Sequence, residues 1–498
     1  MKQILKAAVT AALFAFTTQN LVFANDEPEE EKFVPLAELK PLEKLEGFKN
    51  RHTFQYGISA SNAYINKKED WVDQNKTNFI KDQRNGLFIG NYRPYLRYTF
   101  EEQHTFNLRG RFEYRNNPSI PNEDRGKNGQ VVSNGGYSVE MLNAELDFDK
   151  HKVTVGRAFY RMGRGLLFAN FADGAEYTGN FRFLQVKLLA AYSGEYAGCT
   201  ISIAGCRTNA DAPIKSAATF DIVPGRPIDA VVPAMGRRYF VGAEIQSAQV
   251  YGSNVYLLGL YSRDMNRDAA TAKDIAGKIY SFDPYYMGAG LQGYIGTPRI
   301  RYLAEGIVQK GNTYNANNVQ VPVDAWAFTA DLNFSAVILQ IIKPVFSLQY
   351  GYASGRDSSK PEPGSAAQSG SSSVDNNFYA FGVYSAGLAL QPRLNNLHIA
   401  RVGIQFKPLY HFYWGRNLMT SIKYSIYQKG NVNYGISDND ATLASRDIGR
   451  AVDVQVVYDF RTDLKLFYAY GYFTPGSAYK EVDAKNIHSH IVSLNFLF

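Results

Sequence analysis

The chain has 498 residues, 45% apolar and 20% charged, with a formal net charge of +7. That balance excludes a disordered or coiled-coil protein, and beyond the N-terminus no apolar run is long enough for a membrane-spanning helix, which excludes a polytopic helical protein. Aromatic residues make up 14%, with 35 Tyr and 32 Phe beside 42 Gly, a mix that suits strands, turns and membrane interfaces.

The first element is a secretory signal peptide over 1–24. Lys2 and Lys6 precede an apolar stretch from Ala7 to Phe16, and Val22 and Ala24 are the small residues before a cleavage that leaves Asn25 first. Residues 25–48 hold eight acids, three lysines and three prolines, and read as an acidic periplasmic tail. Residues 49–498 then carry 48 basic against 38 acidic side chains.

From Arg51 onward one pattern repeats: about 10 to 14 residues of alternating polarity, then a break that is short and long by turns. A transmembrane β-barrel alternates in this way, because one face of each strand meets lipid and the other the lumen. Strands are expected near 51–65, 87–101, 104–116, 136–149, 151–161, 174–180, 182–193, 238–250, 254–264, 285–295, 298–310, 323–334, 344–354, 397–407, 416–428, 447–460, 463–474 and 487–498. The fold class is therefore an all-β antiparallel barrel of about 18 strands, with short periplasmic turns and long extracellular loops. The stretch Phe378–Leu390 would make the count odd, so it belongs to the long loop 355–396. Both chain ends must be periplasmic, which requires an even number.

The last strand sets Val492, Leu494, Phe496 and Phe498 on one face. A terminal amphipathic strand ending in Phe498 is the signal expected for the barrel-assembly machinery of a Gram-negative outer membrane. Outer-membrane lipid is the expected surroundings. Cys199 and Cys206 are expected to form a small disulfide loop outside the cell, since that compartment is oxidising.

Period two also assigns the pore lining. Phe106, Leu108, Phe112 and Tyr114 face lipid, so Arg109, Arg111, Glu113 and Arg115 face the lumen. The same test sends Arg93, Arg97, Arg238, Arg301, Arg401, Lys407 and Lys423 inward, with Glu244, Glu305, Asp331 and Asp453. Charge on the lipid face costs a few kcal/mol near the midplane, which forces these positions inward. Guanidinium groups match carboxylates bidentately. Spread along a channel they offer many weak sites, which favours conduction over trapping. The seven His residues are scattered and no catalytic constellation stands out. No enzyme activity, cofactor, metal or nucleic-acid partner is expected.

Three stretches carry a resemblance. They are Val153-Thr-Val-Gly-Arg157-Ala-Phe-Tyr-Arg161-Met-Gly-Arg164-Gly, Tyr350-Gly-Tyr-Ala-Ser-Gly-Arg356-Asp357, and Asp447-Ile-Gly-Arg450-Ala-Val-Asp453 followed by Tyr468-Ala-Tyr-Gly-Tyr-Phe-Thr-Pro475. In this order they resemble the alginate-export family of outer-membrane porins. The resemblance implies a barrel of 18 strands with an electropositive constriction that passes a polyuronate. Carried over by motif, Arg157, Arg164, Asp357, Arg450 and Asp453 lie near that constriction or its scaffold. Arg157 and Arg161 share the parity of the lipid-facing Val153 and Val155, so either a bulge at Gly156 re-aims them or they lie above the membrane. Arg450 has the same conflict with Val452 and Val454. The plugging periplasmic loop of the family has no counterpart among the short turns.

The functional expectation is a channel for an anionic, carboxylated solute or polysaccharide. A general or small-solute diffusion porin is the alternative, and a surface adhesin barrel a more distant one.

Overall fold

A computed structural model describes residues 52–69, 85–100, 103–116, 133–193, 238–264, 282–295, 299–314, 319–336, 341–355, 374–382, 384–436, 441–480 and 485–497. The signal peptide 1–24, the acidic tail 25–48, Cys199, Cys206, Asp357 and Phe498 lie outside these residues.

The strands are β1 (His52–Glu69), β2 (Asn85–Phe100), β3 (His104–Asn116), β4 (Ser133–Phe148), β5 (His151–Met162), β6 (Phe168–Asn180), β7 (Leu184–Ser193), β8 (Arg238–Ser247) and β9 (Ser253–Asp264). They continue with β10 (Asp283–Tyr294), β11 (Ile300–Tyr314), β12 (Gln320–Ser335), β13 (Val345–Ala353), β14 (Leu397–Phe406), β15 (Leu418–Lys429), β16 (Asp447–Arg461), β17 (Leu464–Pro475) and β18 (Ile487–Leu497). Each strand pairs antiparallel with its sequence neighbours, and β1 pairs with both β2 and β18. This is a closed 18-stranded barrel. Closure removes every sheet edge, which is how a β-structure satisfies its backbone in lipid. A barrel of this size leaves a lumen too wide for wall side chains alone to fill.

The alternation in sequence becomes the two faces of the wall. Tyr56, Tyr92, Phe112, Leu257, Leu348 and Val402 are exposed on the outside. Arg111, Glu113, Glu305, Arg401 and Asp453 are buried on the inside.

Among the described residues two insertions occupy the lumen. The first is the distal part of the β5–β6 hairpin. Pairing of β4 with β5 ends at Leu142↔Arg157, and pairing of β6 with β7 ends at Asp173↔Tyr192. Beyond that level β5 and β6 pair with each other as far as Met162↔Phe168, and Phe168 also bridges Phe381 of the inner loop. The hairpin has left the wall and leans inward. Its pivot is the cross-strand pair Gly156↔Gly174. Gly156 has φ +116°, and a Cβ there would sit 2.3 Å from the Leu142 carbonyl oxygen, so only glycine serves. This makes β6 start at Phe168 rather than near residue 174 as the polarity pattern suggests. Ala158, Tyr160, Met162 and Ala172 pack on the inner wall with Leu189, Phe240 and Leu260.

The second insertion is the described part of the loop between β13 and β14. Phe378–Leu390 forms no strand, in keeping with its assignment to the loop, but the segment lies inside the barrel. Phe378, Phe381, Ala389 and Leu394 join Phe168, Phe282, Tyr286 and Tyr427 in one apolar cluster. Burying each large side chain contributes about 1.5–3 kcal/mol, which offsets the cost of ordering a long loop. The two insertions also touch: the Phe381 N–H donates to the Leu167 carbonyl at 3.0 Å.

Candidate functional site: the lumenal constriction

One side of the constriction is the inner face of β2–β4. Arg93, Arg109 and Arg111 converge there on Glu140. Their distances to its carboxylate are 3.1 Å, 2.7 Å and 3.8 Å. Arg111 also pairs with Glu113, and its Nε donates to Asn91 Oδ1 at 3.0 Å. Among the described residues three guanidinium groups thus meet two carboxylates, an excess of positive charge. Arg97 is on the same face, opposite Asn107 on β3.

Glu140 is the residue the polarity pattern does not reveal. Arg109 pairs with Met141 and Gly110 with Val139, so Glu140 is an extra residue in β4. This bulge lets its side chain point inward, although Leu142, two residues on and of the same parity, faces lipid. Glu140 is 3% exposed.

The other side is the free face of the inward hairpin. Gly156 re-aims the residues after it without a shift of register. Arg157 makes a bidentate pair with Asp173, at 2.8 Å and 2.6 Å, and its Nη1 donates to the Val139 carbonyl at 3.2 Å. Phe159 and Phe171 meet edge to face, and the Arg109 guanidinium stands 5.6 Å over the Phe171 ring. Arg161 is exposed to the lumen. Its Nη2 donates to the Arg164 carbonyl at 2.6 Å.

The hairpin tip is latched to that wall. The Gly163 N–H donates to Glu244 at 2.8 Å, and the Arg164 N–H to Glu305 at 3.0 Å. The Arg164 side chain donates to Thr329 Oγ1 at 2.9 Å and pairs with Asp331. The inward carboxylates therefore position a cation from the hairpin. Arg164 serves here as an anchor and not as an open binding group.

Several expected pore-lining residues are instead covered. Arg401 is 4% exposed, Asp453 3%, Lys423 8% and Arg238 3%. Period two places them inside correctly, but the inner loop lies against them. Arg401 donates to the Ser385 carbonyl at 3.0 Å, Asp453 accepts from the Leu388 N–H at 3.2 Å, and Tyr427 donates to the Ala386 carbonyl at 2.6 Å. Arg238 donates to the Phe282 carbonyl at 2.7 Å, with its guanidinium over the Phe381 ring. These are tethers for the insertions. The second and third motifs make room for the same loop: a Cβ on Gly351 would sit 2.4 Å from the Tyr384 hydroxyl, and one on Gly471 2.7 Å from Leu388 Cβ. Burial raises the pKa of Tyr384, which keeps the phenol neutral.

Arg450 is not in the lumen. It is exposed on the outer face, paired with the lipid-facing Ile426. Its parity with Val452 is real, and Gly449 at φ +138° does not turn it inward. Arg115 lies on β3 opposite Asn134. Among the described residues no group of His, Cys, Asp or Glu could hold a metal.

The fold is shared with solved outer-membrane porins of Pseudomonas aeruginosa. OccK11 (OpdR) aligns with a TM-score of 0.51 at 12% identity, over 89% of this chain and 96% of that one. OpdL gives 0.52 at 11%, over 89% and 98%. OpdK, solved with vanillate, gives 0.52 at 10%, over 89% and 99%. No curated protein matches the chain. A family model described as alginate export matches residues 238–493, more than half of the sequence. Together with the closed barrel this makes the protein an outer-membrane channel of a Gram-negative cell, and the chain belongs to the alginate export family.

Proposed function

We propose that this channel conducts carboxylate-bearing anions, and that the guanidinium groups of Arg93, Arg109, Arg157 and Arg161 act as weak exchangeable sites along the constriction. The observation that carries this reading is the convergence of three arginines on Glu140, facing a hairpin that brings further arginines to within reach. The excess positive charge attracts an anion. The carboxylates already present keep each site weak, because an incoming carboxylate must compete with Glu140 or Asp173. The family supports a uronate polymer as the substrate. The vanillate bound in OpdK supports a small carboxylate, since the two inward insertions narrow the passage that a polymer must thread.

Single-channel recording tests both. The refolded full-length barrel is placed in a planar bilayer under a salt gradient, then exposed to oligouronate, to vanillate and to a neutral oligosaccharide. An anion-selective reversal potential with block by a carboxylated solute is the expected result. Cation selectivity, or equal block by the neutral sugar, contradicts the proposal. The remaining expectations belong with it: residues 1–24 direct export, Cys199 and Cys206 are bridged, and Phe498 is read during barrel assembly.

A further inference from the structure

Arg450, singled out by motif, finds no use in the lumen. It stands on the outer face near the extracellular end of β16, three residues from the strand start at Asp447. Arg446, one residue before that strand, is also exposed, and its charge acts on Tyr350 and His398. Neither arginine has a carboxylate partner within ion-pair distance among the described residues. Another cation of the outer face does: at the extracellular end Lys310 pairs with Asp324 at 2.7 Å.

Rings flank the two arginines on both sides. Across β12–β14, Trp326 and Tyr352 are 4.5 Å apart, Tyr352 and His398 are 4.4 Å apart, and the Tyr350 hydroxyl meets His398 Nδ1 at 2.7 Å. Across β17–β18, Tyr472 and His488 are 4.8 Å apart, and Tyr470 and His490 are 4.7 Å apart. Arg450 pairs with Thr474 in the register, which makes Tyr472 its diagonal neighbour on this face. Aromatic rings at this height mark the membrane interface. An arginine there costs little, whereas one at the midplane would cost about 2–4 kcal/mol.

We propose that Arg446 and Arg450 form a docking site for a phosphorylated glycolipid of the outer leaflet. The guanidinium groups take the phosphates, and the flanking rings take the sugar faces and the first acyl carbons. Charge complementarity selects this occupant. Two guanidinium groups that face the leaflet with no carboxylate partner among the described residues call for a phosphate-bearing headgroup, and guanidinium–phosphate pairing is bidentate.

The test uses the folded full-length barrel in detergent micelles, with native mass spectrometry counting bound lipid. The probes are diphosphorylated lipid A, the same lipid stripped of phosphate, and inorganic phosphate. The wild-type barrel is expected to retain diphosphorylated lipid A in preference to the stripped lipid. The double variant Arg446→Ala/Arg450→Ala should bind it about tenfold more weakly, the scale of losing one or two charge-assisted contacts. Arg446→Lys/Arg450→Lys should recover part of the affinity, and it serves as the second variant if the alanine pair fails to fold. Single-channel conductance should be the same in all folded forms. Equal retention by wild type and the alanine pair overturns the proposal, as does equal retention of the stripped lipid. Binding of inorganic phosphate at the same affinity as the lipid overturns the glycolipid as occupant.

Discussion

At the scale of single residues, period two finds which side of the wall a charge faces, but not what lies against it. Arg109 and Arg111 are legible in this way, because Leu108 and Phe112 beside them must meet lipid. Glu140 is not, because a bulge adds one residue and reverses the parity around it. Arg401 and Asp453 face inward as expected, yet the loop that covers them comes from a stretch whose polarity carries no sign of its destination. Resemblance alone points Arg450 inward, whereas its parity with Val452 puts it on the lipid face, where it lies. Two substitutions follow. Glu140→Gln removes a buried counter-charge shared by three arginines. It should lower stability by about 3–5 kcal/mol, the range for stripping one partner from a buried ion pair. The variant barrel should also become more anion-selective, because the cluster gains net positive charge. Denaturant unfolding and the reversal potential check the two parts separately. Arg109→Ala should weaken block by a carboxylated solute about tenfold, read as the blocking concentration.

At the scale of elements, the inward hairpin is the least expected feature. The strand pattern stops near residue 174 in sequence terms because, past the Gly156↔Gly174 pivot, neither face of β6 meets lipid and alternation loses its cause. Gly156 itself was the visible signal, since a glycine in a strand marks a bulge or a close approach. Gly156→Val places a branched Cβ 2.3 Å from the Leu142 carbonyl at a φ of +116°. The expected result is a barrel that opens at a lower temperature on a gel and, where folded, conducts more because the hairpin no longer leans inward. Arg164→Ala removes the side-chain latch to Thr329 and Asp331 but leaves the pivot. It should keep the barrel's thermal stability nearly unchanged while its single-channel trace gains open-state noise. A silent trace identical to wild type would show that the tip is held by Glu244, Glu305 and the Leu167–Phe381 contact alone.

At the scale of the whole molecule, strand number, direction and closure were almost fully legible. Each follows from a repeated two-sided pattern and from the need for both ends to share a side. The plugging was not legible, because it comes from the extracellular side through a hairpin latched to wall carboxylates and a loop held by buried arginines, and not from a long periplasmic turn. A division of labour results. The wall of β2–β4 supplies charge, while the hairpin and the β13–β14 loop set the width. Removing Phe378–Leu390 should therefore raise conductance yet leave the pore anion-selective. The charge of β2–β4 stays in place, and Arg401 and Lys423 become wetted.

The most direct measurement is the reversal potential of the wild-type barrel across a salt gradient, repeated with Arg93, Arg109 and Arg111 all replaced by Ala. Anion selectivity in the wild type, lost in the triple variant while heat-modifiable barrel folding persists, is the expected result. A wild-type pore that selects cations, or a triple variant as anion-selective as its parent, contradicts the assignment of this arginine wall as the selective element.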